Sequence, residues 1–581
     1  MTAVSRAILA IGLALIVFSA SYSFTFIKPR PYALQETDLE NAYLYAGRLI
    51  AAGEEEIFMP HPGTPVQYLT ALIIRVVGDD IHKTQDVFNA GYLIAGILNA
   101  LAIALFILLL PRTVSVAPAL LAATAIIIFP PFLFHLNYFG ADSFILVPTL
   151  PAATLIWSGI IGYRRLSMSL LIIAGILLGL GCAIKLTVAP LTLALALSVL
   201  PMLWRDIRDK RAPWYAPIVL PCVAVVAFAL FTLPSAQYYP QLINYVFHST
   251  ESSLSSIFAL LNALIFLARE ATLFMNLFML ALFAAAAMSV IFVRRFSLIA
   301  LLHHLWGPGL FYVLLAAVFV HAAHAVVIEP IYIDAGVVLR YLLPGYLLVP
   351  FLLLGIFTHA TDWQYTHRTE CLAVCLSIFA FIPAIVSHGN LRSYSIAWRG
   401  EMAQFLEEFI REHVPPSDGR IALWNSGMNN DGSVFPEASF HFFGNSKFGR
   451  HHFDKEILAA FPEVTYFNER VTRGHIAGSK KDAPMEGVMG ERDGVRPSMF
   501  FFPENEVDIT GYATVPPAVQ EFLSSSILSE HFTHPEVQAF LATLQRQDLG
   551  KVLAYLSERY GQSFVVSRVN MLGHRWIMIK P

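Results

Sequence analysis

The chain has little charge and little cysteine for its length. Of its 581 residues only 14% are charged, whereas 56% are hydrophobic. Soluble domains carry about a quarter charged residues, so this composition is typical of a membrane protein. The formal net charge of −3 is too small to indicate a nucleic-acid partner. The 4 cysteines all lie in hydrophobic runs, which argues against a disulfide-stabilised scaffold.

Long hydrophobic runs are what the chain has in abundance. A membrane-spanning helix needs about 20 mainly apolar residues. By this criterion we predict about eleven spans, at approximately 5–26, 88–110, 115–134, 143–162, 168–183, 186–204, 214–234, 271–293, 297–326, 341–360 and 370–388. The first span also resembles a signal peptide, but its long apolar stretch favours an uncleaved anchor.

Basic residues between the spans predict the orientation. If the N-terminus with Arg6 is cytoplasmic, every basic cluster between spans lies on that same side, as the positive-inside rule requires. The opposite side then receives the loops 27–87, 135–142, 235–270 and 327–340, together with everything after about 388. We therefore expect a multi-pass membrane protein with a cytoplasmic N-terminus and an extracytoplasmic C-terminal region.

The C-terminal region has a different composition from the rest of the chain. Charges, prolines and glycines return after 388, and short β-type segments such as 420–424, 498–502 and 576–579 alternate with helical periodicity. The predicted fold class is a mainly α polytopic membrane protein with a C-terminal extracytoplasmic α/β domain. The predicted domains are a transmembrane domain over 1–387 and a soluble domain over 388–581.

Polar chemistry gathers in the predicted outer loops. Asp38 and Glu40 stand just after the first span, where carboxylates are costly unless they face water, a partner or a substrate. Asp38 precedes a predicted amphipathic helix, 39–52, and can act as its N-cap, as a catalytic base, or as both. His61 begins a rigid His-Pro-Gly turn before a second amphipathic segment, 66–77.

Three further charged residues lie where predicted spans begin or end. Asp142 is either a helix N-cap or a second carboxylate that orients the acceptor or a basic partner. Lys185 interrupts an apolar region, so it either snorkels to the surface or binds an anion such as phosphate. Arg340 can clamp a phosphate with two hydrogen bonds, or pair with an acidic neighbour in its own loop, Glu329 or Asp334.

The order of these motifs resembles the GT-C superfamily of integral-membrane glycosyltransferases. The similarity is greatest to the branch of protein O-mannosyltransferases and lipid A aminoarabinose transferases. The motifs that carry it are, in chain order, Thr37-Asp38-Leu39-Glu40-Asn41-Ala42-Tyr43, His61-Pro62-Gly63, Phe139-Gly140-Ala141-Asp142-Ser143, Lys185-Leu186-Thr187 and Arg340-Tyr341-Leu342-Leu343-Pro344. Two positions depart from the family pattern: Leu39 separates the two acidic residues, and Gly63 stands where a second proline is common.

The resemblance implies a role for each matching position. Asp38 matches the catalytic carboxylate, with Glu40 as the alternative, and Asp142 matches the second acidic position. Lys185 and Arg340 would stand near the phosphate of the donor. His61 and Tyr341 would position the substrate. No cofactor is implied, because two cations can serve the leaving phosphate; a divalent metal is possible but not required by the sequence.

The activity that the resemblance implies is a glycosyltransferase reaction at the cell inner (plasma) membrane, where the outer side would be the periplasm. A polyprenyl-phosphate sugar would be the donor, and a lipid, glycan or protein the acceptor, with inversion at the anomeric carbon. Two alternatives stay open at this point. One is a transporter or flippase of a lipid-linked saccharide, and the other is a non-catalytic membrane assembly protein whose outer domain carries the function.

Overall fold

The computed structural model describes residues 1–27, 40–53, 63–78, 83–128, 132–133, 136, 139–161, 167–240, 420–424, 464–467, 497–503, 549–571 and 574–580, with isolated positions between 347 and 381. The predicted spans from 271 to 326, almost all of the two spans after 341, and Asp38, His61, Arg340 and Tyr341 lie outside these residues. The total of eleven spans and the division at 387/388 therefore stay predictions.

The described part of the first 240 residues is helical. Its helices are α1 (Ala3–Tyr22), α2 (Glu40–Ala51), α3 (Thr64–Val77), α4 (Thr84–Leu109), α5 (Val116–Ile127), α6 (Ala141–Phe144), α7 (Leu146–Ile161), α8 (Met168–Ile184), α9 (Ala189–Arg208) and α10 (Ala216–Phe231). Each of the first seven predicted spans contains one of these apolar helices. The two predicted amphipathic helices of the first loop are also present, as α2 and α3.

Four helical segments within the described residues are long and apolar enough to cross a membrane, namely Ala3–Phe26, Asp86–Leu109, Ala141–Gly159 and Leu186–Arg208. Three others in predicted spans, α5, α8 and α10, are apolar but shorter than 18 residues. The chain is thus a mainly helical membrane protein in the region that the structure describes.

The core of the helical region is built from the inward faces of its helices. On α1, Leu13 and Val17 are buried, whereas Ile8 and Leu15 are exposed as expected for a lipid-facing surface. The buried residues of α1, α4, α5, α7, α8, α9 and α10 form one hydrophobic cluster. Apolar side chains on both sides of α1 therefore serve two purposes, packing inward and contacting lipid outward.

One end of this helical region is joined by polar contacts. The guanidinium of Arg6 donates to the carbonyl of Leu110 over 2.9 Å, and the hydroxyl of Ser158 donates to the carbonyl of Leu109 over 3.0 Å. The start of α1, the end of α4 and the C-terminal part of α7 consequently lie at the same end. This is the end to which the sequence assigned Arg6 and the basic residue Arg112.

In the C-terminal region the structure describes one helix and a five-stranded sheet. The strands are β1 (Arg420–Trp424), β2 (Val464–Phe467), β3 (Pro497–Pro503), β4 (Val565–Met571) and β5 (His574–Lys580), and the helix is α11 (Leu549–Tyr560). The strand order is β2-β1-β3-β5-β4. β1 runs parallel to β2 and β3, and β5 runs antiparallel to β3 and β4. The three predicted strand segments all lie within strands of this sheet.

Two compact units make up the chain. The first contains Met1–Pro29, Phe58–Ile73 and Asn89–Leu391, and the second contains Arg30–Ile57, Ile74–Phe88 and Arg392–Pro581. Helix α2 and the sheet thus belong to the second unit, whereas Asp142 and Lys185 belong to the first.

Candidate functional site

A buried ion pair joins two of the residues singled out from the sequence. The ammonium nitrogen of Lys185 lies 2.5 Å from Oδ1 of Asp142, and each side chain is only 1% exposed. Two roles were left open for Asp142, and this contact corresponds to the second, in which the carboxylate orients a basic partner. Lys185 does not snorkel, because a snorkelling lysine keeps its ammonium in contact with water.

Asp142 lies in the first turn of α6 rather than at its cap. Gly140 is the N-cap residue, so of the two alternatives for Asp142 the N-cap is not the one found; its carboxylate contacts Lys185.

Two residues on α4 hold the segment that carries Asp142. The side-chain amide of Asn99 donates to the carbonyl of Ser143 over 2.7 Å and to that of Ala95 over 2.9 Å. A Cβ atom added at Gly91 would stand 2.5 Å from the ring of Phe139, so this position accepts only glycine without displacing the ring. The approach of α4 thus determines where the first turn of α6 lies.

Lys185 occupies a break between two apolar helices. Its backbone is extended, with φ −155° and ψ 125°, after α8 ends at Ile184 and before a short 3₁₀ turn, Leu186–Val188, leads into α9. The amide of Lys185 donates to the carbonyl of Gly181 over 2.9 Å. The break that the sequence indicated between 183 and 186 is confirmed.

Glycines allow the C-terminal part of α8 to pack closely against its neighbouring helices. A Cβ atom at Gly179 would lie 2.4 Å from the carbonyl oxygen of Ala224 on α10, and one at Gly175 would lie 2.9 Å from the Val223 side chain. This Gly-x-x-x-Gly spacing lets two membrane helices approach closely. On the same helix, Gly181 faces Thr149 of α7, where a Cβ atom would stand 2.9 Å from the methyl group. Close packing on two sides thus brings Lys185 to Asp142.

A buried ion pair is energetically costly, and this cost makes the Asp142–Lys185 pair an indication of function. Removing two charges from water costs several kcal/mol per ion, and mutual attraction offsets this only when geometry is good. Apolar residues of similar size would fill the same space without that cost. Charged residues inside a membrane bundle are therefore a default indication of function.

Of the other predicted site residues, Glu40 lies among the residues that the structure describes. Glu40 is the first residue of α2, so the acidic motif leads directly into that helix, as predicted. Asp38, His61, Arg340 and Tyr341 lie outside the described residues. Their proposed roles remain predictions from the sequence.

Several buried polar residues received no role from the sequence. Asn99 is among them, and so is Arg48 on α2, which is only 2% exposed. Arginine is rarely buried unless it is paired. The sequence showed only that Arg48 is a basic residue on a predicted amphipathic helix. That pattern does not tell whether the arginine is buried or exposed.

The described residues offer no clustered set of metal ligands. Within the described ranges, no group of three or more His, Cys, Asp or Glu side chains is arranged to hold a metal ion. The histidines between 441 and 452 fall outside those ranges.

Comparison with known proteins adds two similar structures. No protein-family profile and no curated sequence matches the chain. The chain is similar to ArnT from Cupriavidus metallidurans bound to undecaprenyl phosphate, with 11% identity, a TM-score of 0.46, and coverage of 100% of this chain and 98% of that chain. It is also similar to the archaeal oligosaccharyltransferase AglB from Archaeoglobus fulgidus, in complex with an inhibitory peptide and a dolichol-phosphate, with 14% identity, a TM-score of 0.42, and coverage of 98% and 88%.

Both of these proteins belong to the GT-C superfamily, the group that the sequence motifs resemble. At these identities and with TM-scores below 0.5, the likeness is one of general arrangement and assigns no activity. The functional argument therefore rests on the residues of this chain.

Proposed function

We propose that the protein is a membrane glycosyltransferase that moves a sugar from a polyprenyl-phosphate donor to an acceptor hydroxyl or amine on the extracytoplasmic side. The observation that carries the proposal is the buried pair of Asp142 and Lys185. These residues are 43 positions apart in the sequence and were matched separately to the family motifs, yet they are in direct contact.

The chemistry assigns a separate task to each charged residue. Asp38 removes the proton of the acceptor while the acceptor atom attacks the anomeric carbon from the face opposite the leaving group. The bond between that carbon and the phosphate oxygen breaks, so the configuration inverts and the polyprenyl phosphate leaves with its negative charge. Lys185 and Arg340 stabilise this charge as it develops, which is an electrostatic contribution to catalysis.

Asp142 serves this reaction through Lys185. A lysine ammonium has three N–H donors, so a bond to Asp142 is compatible with a further bond to a phosphate oxygen. In this proposal Asp142 is a positioning residue, Glu40 is the alternative base, and His61 and Tyr341 hold the substrate.

The test is sugar transfer in proteoliposomes that contain the full-length protein and a panel of radiolabelled polyprenyl-phosphate sugars. We expect Asp38→Asn to lower the transfer rate by roughly a hundredfold or more, the usual contribution of a general base, while donor binding is retained. Glu40→Gln tests the second carboxylate in the same assay. Asp86→Asn is the matched control, because Asp86 is an exposed carboxylate in the first turn of α4.

Three results would overturn parts of the proposal. If both the wild type and Asp38→Asn form product at the same rate, Asp38 is not the base. If Glu40→Gln alone stops transfer, the base is Glu40. If donor lipid crosses the bilayer and no product forms with any donor of the panel, the protein is a flippase rather than a transferase.

A further inference from the structure

A compact basic turn links α9 to α10. We define it as residues 204–215, Trp-Arg-Asp-Ile-Arg-Asp-Lys-Arg-Ala-Pro-Trp-Tyr. Its exposed basic side chains are Arg205, Arg208, Lys210 and Arg211. Against these four cations the turn has two carboxylates, of which Asp206 is buried and Asp209 is partly exposed.

The backbone of the basic turn is well defined by hydrogen bonds. The amides of Arg211 and Ala212 both donate to the carbonyl of Asp206, over 2.7 and 3.1 Å, and that of Lys210 donates to Ile207 over 2.9 Å. Lys210 adopts a left-handed conformation with φ 55°, which reverses the chain after α9. The four cations are therefore held on one short, ordered segment.

Large aromatic side chains flank the cations. Trp204 is 72% exposed and Trp214 is 78% exposed, and the ring of Trp214 packs edge-on against that of Tyr215 with centroids 5.9 Å apart. Indole and phenol rings prefer the boundary between hydrocarbon and water. Exposed rings on both sides of the basic turn thus place it in the headgroup layer.

The basic turn is remote from the Asp142–Lys185 pair. Helix α9 starts just after the break at Lys185 and has 20 residues, so at about 1.5 Å per residue its two ends lie about 30 Å apart. That length matches the hydrocarbon thickness of a bilayer, about 30 Å. The basic turn and the ion pair consequently lie near opposite surfaces of the membrane.

From these observations we infer that the basic turn is a binding site for anionic phospholipid headgroups of the bilayer. Guanidinium groups match phosphate oxygens in a bidentate geometry, and the aromatic rings lie beside the glycerol region of the same lipid. Asp209 limits the affinity, because its carboxylate is shared by Arg208 at 3.8 Å and Arg211 at 3.6 Å. This inference does not depend on the proposed transferase activity.

The experiment uses the full-length protein in nanodiscs of phosphatidylcholine with or without phosphatidylglycerol. The readout is the enrichment of each lipid in the shell that stays with the protein after mild delipidation, measured by native mass spectrometry. Each Lys or Arg near an anionic surface contributes about 1 kcal/mol. We therefore expect Arg208→Gln with Arg211→Gln to lower the preference for phosphatidylglycerol by roughly tenfold or more.

Two further variants make the test specific. Arg112→Gln is the matched control, because Arg112 is an exposed arginine at the end to which the sequence assigns the basic loops; as one charge outside the basic turn it should lower the preference by no more than about fivefold. Asp209→Asn should raise the preference, since it releases Arg208 and Arg211 from their shared carboxylate. This gain cannot be produced by misfolding.

The inference is overturned by any of three results. The first is that the wild type retains both lipids equally. The second is that Arg112→Gln lowers the preference for phosphatidylglycerol as much as the double variant does, and the third is that Asp209→Asn leaves this preference unchanged. In each case the charges of the basic turn act only on membrane topology.

Discussion

Replacing Lys185 by methionine is the sharpest perturbation of the buried ion pair. Methionine keeps most of the length of the side chain but leaves the carboxylate of Asp142 without its 2.5 Å partner. At an effective dielectric constant of about 20, the attraction at this distance is about 6–7 kcal/mol before desolvation is counted. Desolvation cancels much of that, and breaking a buried pair typically costs about 3–5 kcal/mol. We expect a loss of stability of that size.

A double-mutant cycle separates the pair from the packing around it. Asp142→Asn alone should also cost about 3–5 kcal/mol, because it removes the carboxylate that contacts the buried ammonium of Lys185. Asp142→Asn with Lys185→Met removes both charges of the pair, so its cost should fall short of the sum of the single costs by at least about 2 kcal/mol. The assay is reversible unfolding of the purified protein by SDS in mixed micelles, followed by circular dichroism.

The control for this cycle is an exposed pair in the same protein. Asp209→Asn breaks contacts of 3.6 and 3.8 Å to arginines that are more than half exposed, and it should cost less than about 1 kcal/mol. The reasoning is refuted if the two single costs simply add, or if Lys185→Met costs no more than Asp209→Asn.

Two further predictions concern the supports of this pair. Gly179→Ala should cost about 1–3 kcal/mol in the same unfolding assay, because its Cβ would stand 2.4 Å from a backbone oxygen of α10. Gly12→Ala is its control, with no atom within 4 Å of the added Cβ, and equal effects of the two would contradict the packing argument. Asn99→Leu should cost about 1–3 kcal/mol, since the buried carbonyl of Ser143 loses its amide donor. Thr154→Val removes only a bond within its own helix and should cost less; the reverse order would mean that Asn99 does not hold the α6 segment.

Much of the helical architecture could be predicted from the sequence because membrane insertion depends on local composition. Runs of apolar residues located α1, α4, α5 and the helices from α7 to α10, and a lysine between two such runs marked the break at 185. The amphipathic periodicity after Glu40 and His61 was enough to predict α2 and α3. Each of these features is decided by neighbouring residues, since every backbone polar group in lipid must be satisfied within its own helix.

The candidate site was predictable only as a list of residues. Asp142 and Lys185 were recognised one at a time, and a cap and a snorkelling side chain were reasonable expectations for them. Whether a charged side chain reaches water or a partner depends on which helix packs beside it. That choice is made by contacts distant in the sequence, such as Gly179 against α10 and Gly181 against α7.

What the sequence determined by itself is therefore the membrane class, the positions of the described apolar helices and the residues capable of charge chemistry. Only the tertiary structure decided that Asp142 and Lys185 meet, that Arg48 and Asn99 are buried, and that the basic turn is held as one ordered segment. The physical reason is that hydrophobic partitioning is a property of each segment, whereas the pairing of buried charges requires two segments to be placed within about 3 Å of each other by the packing of all the others.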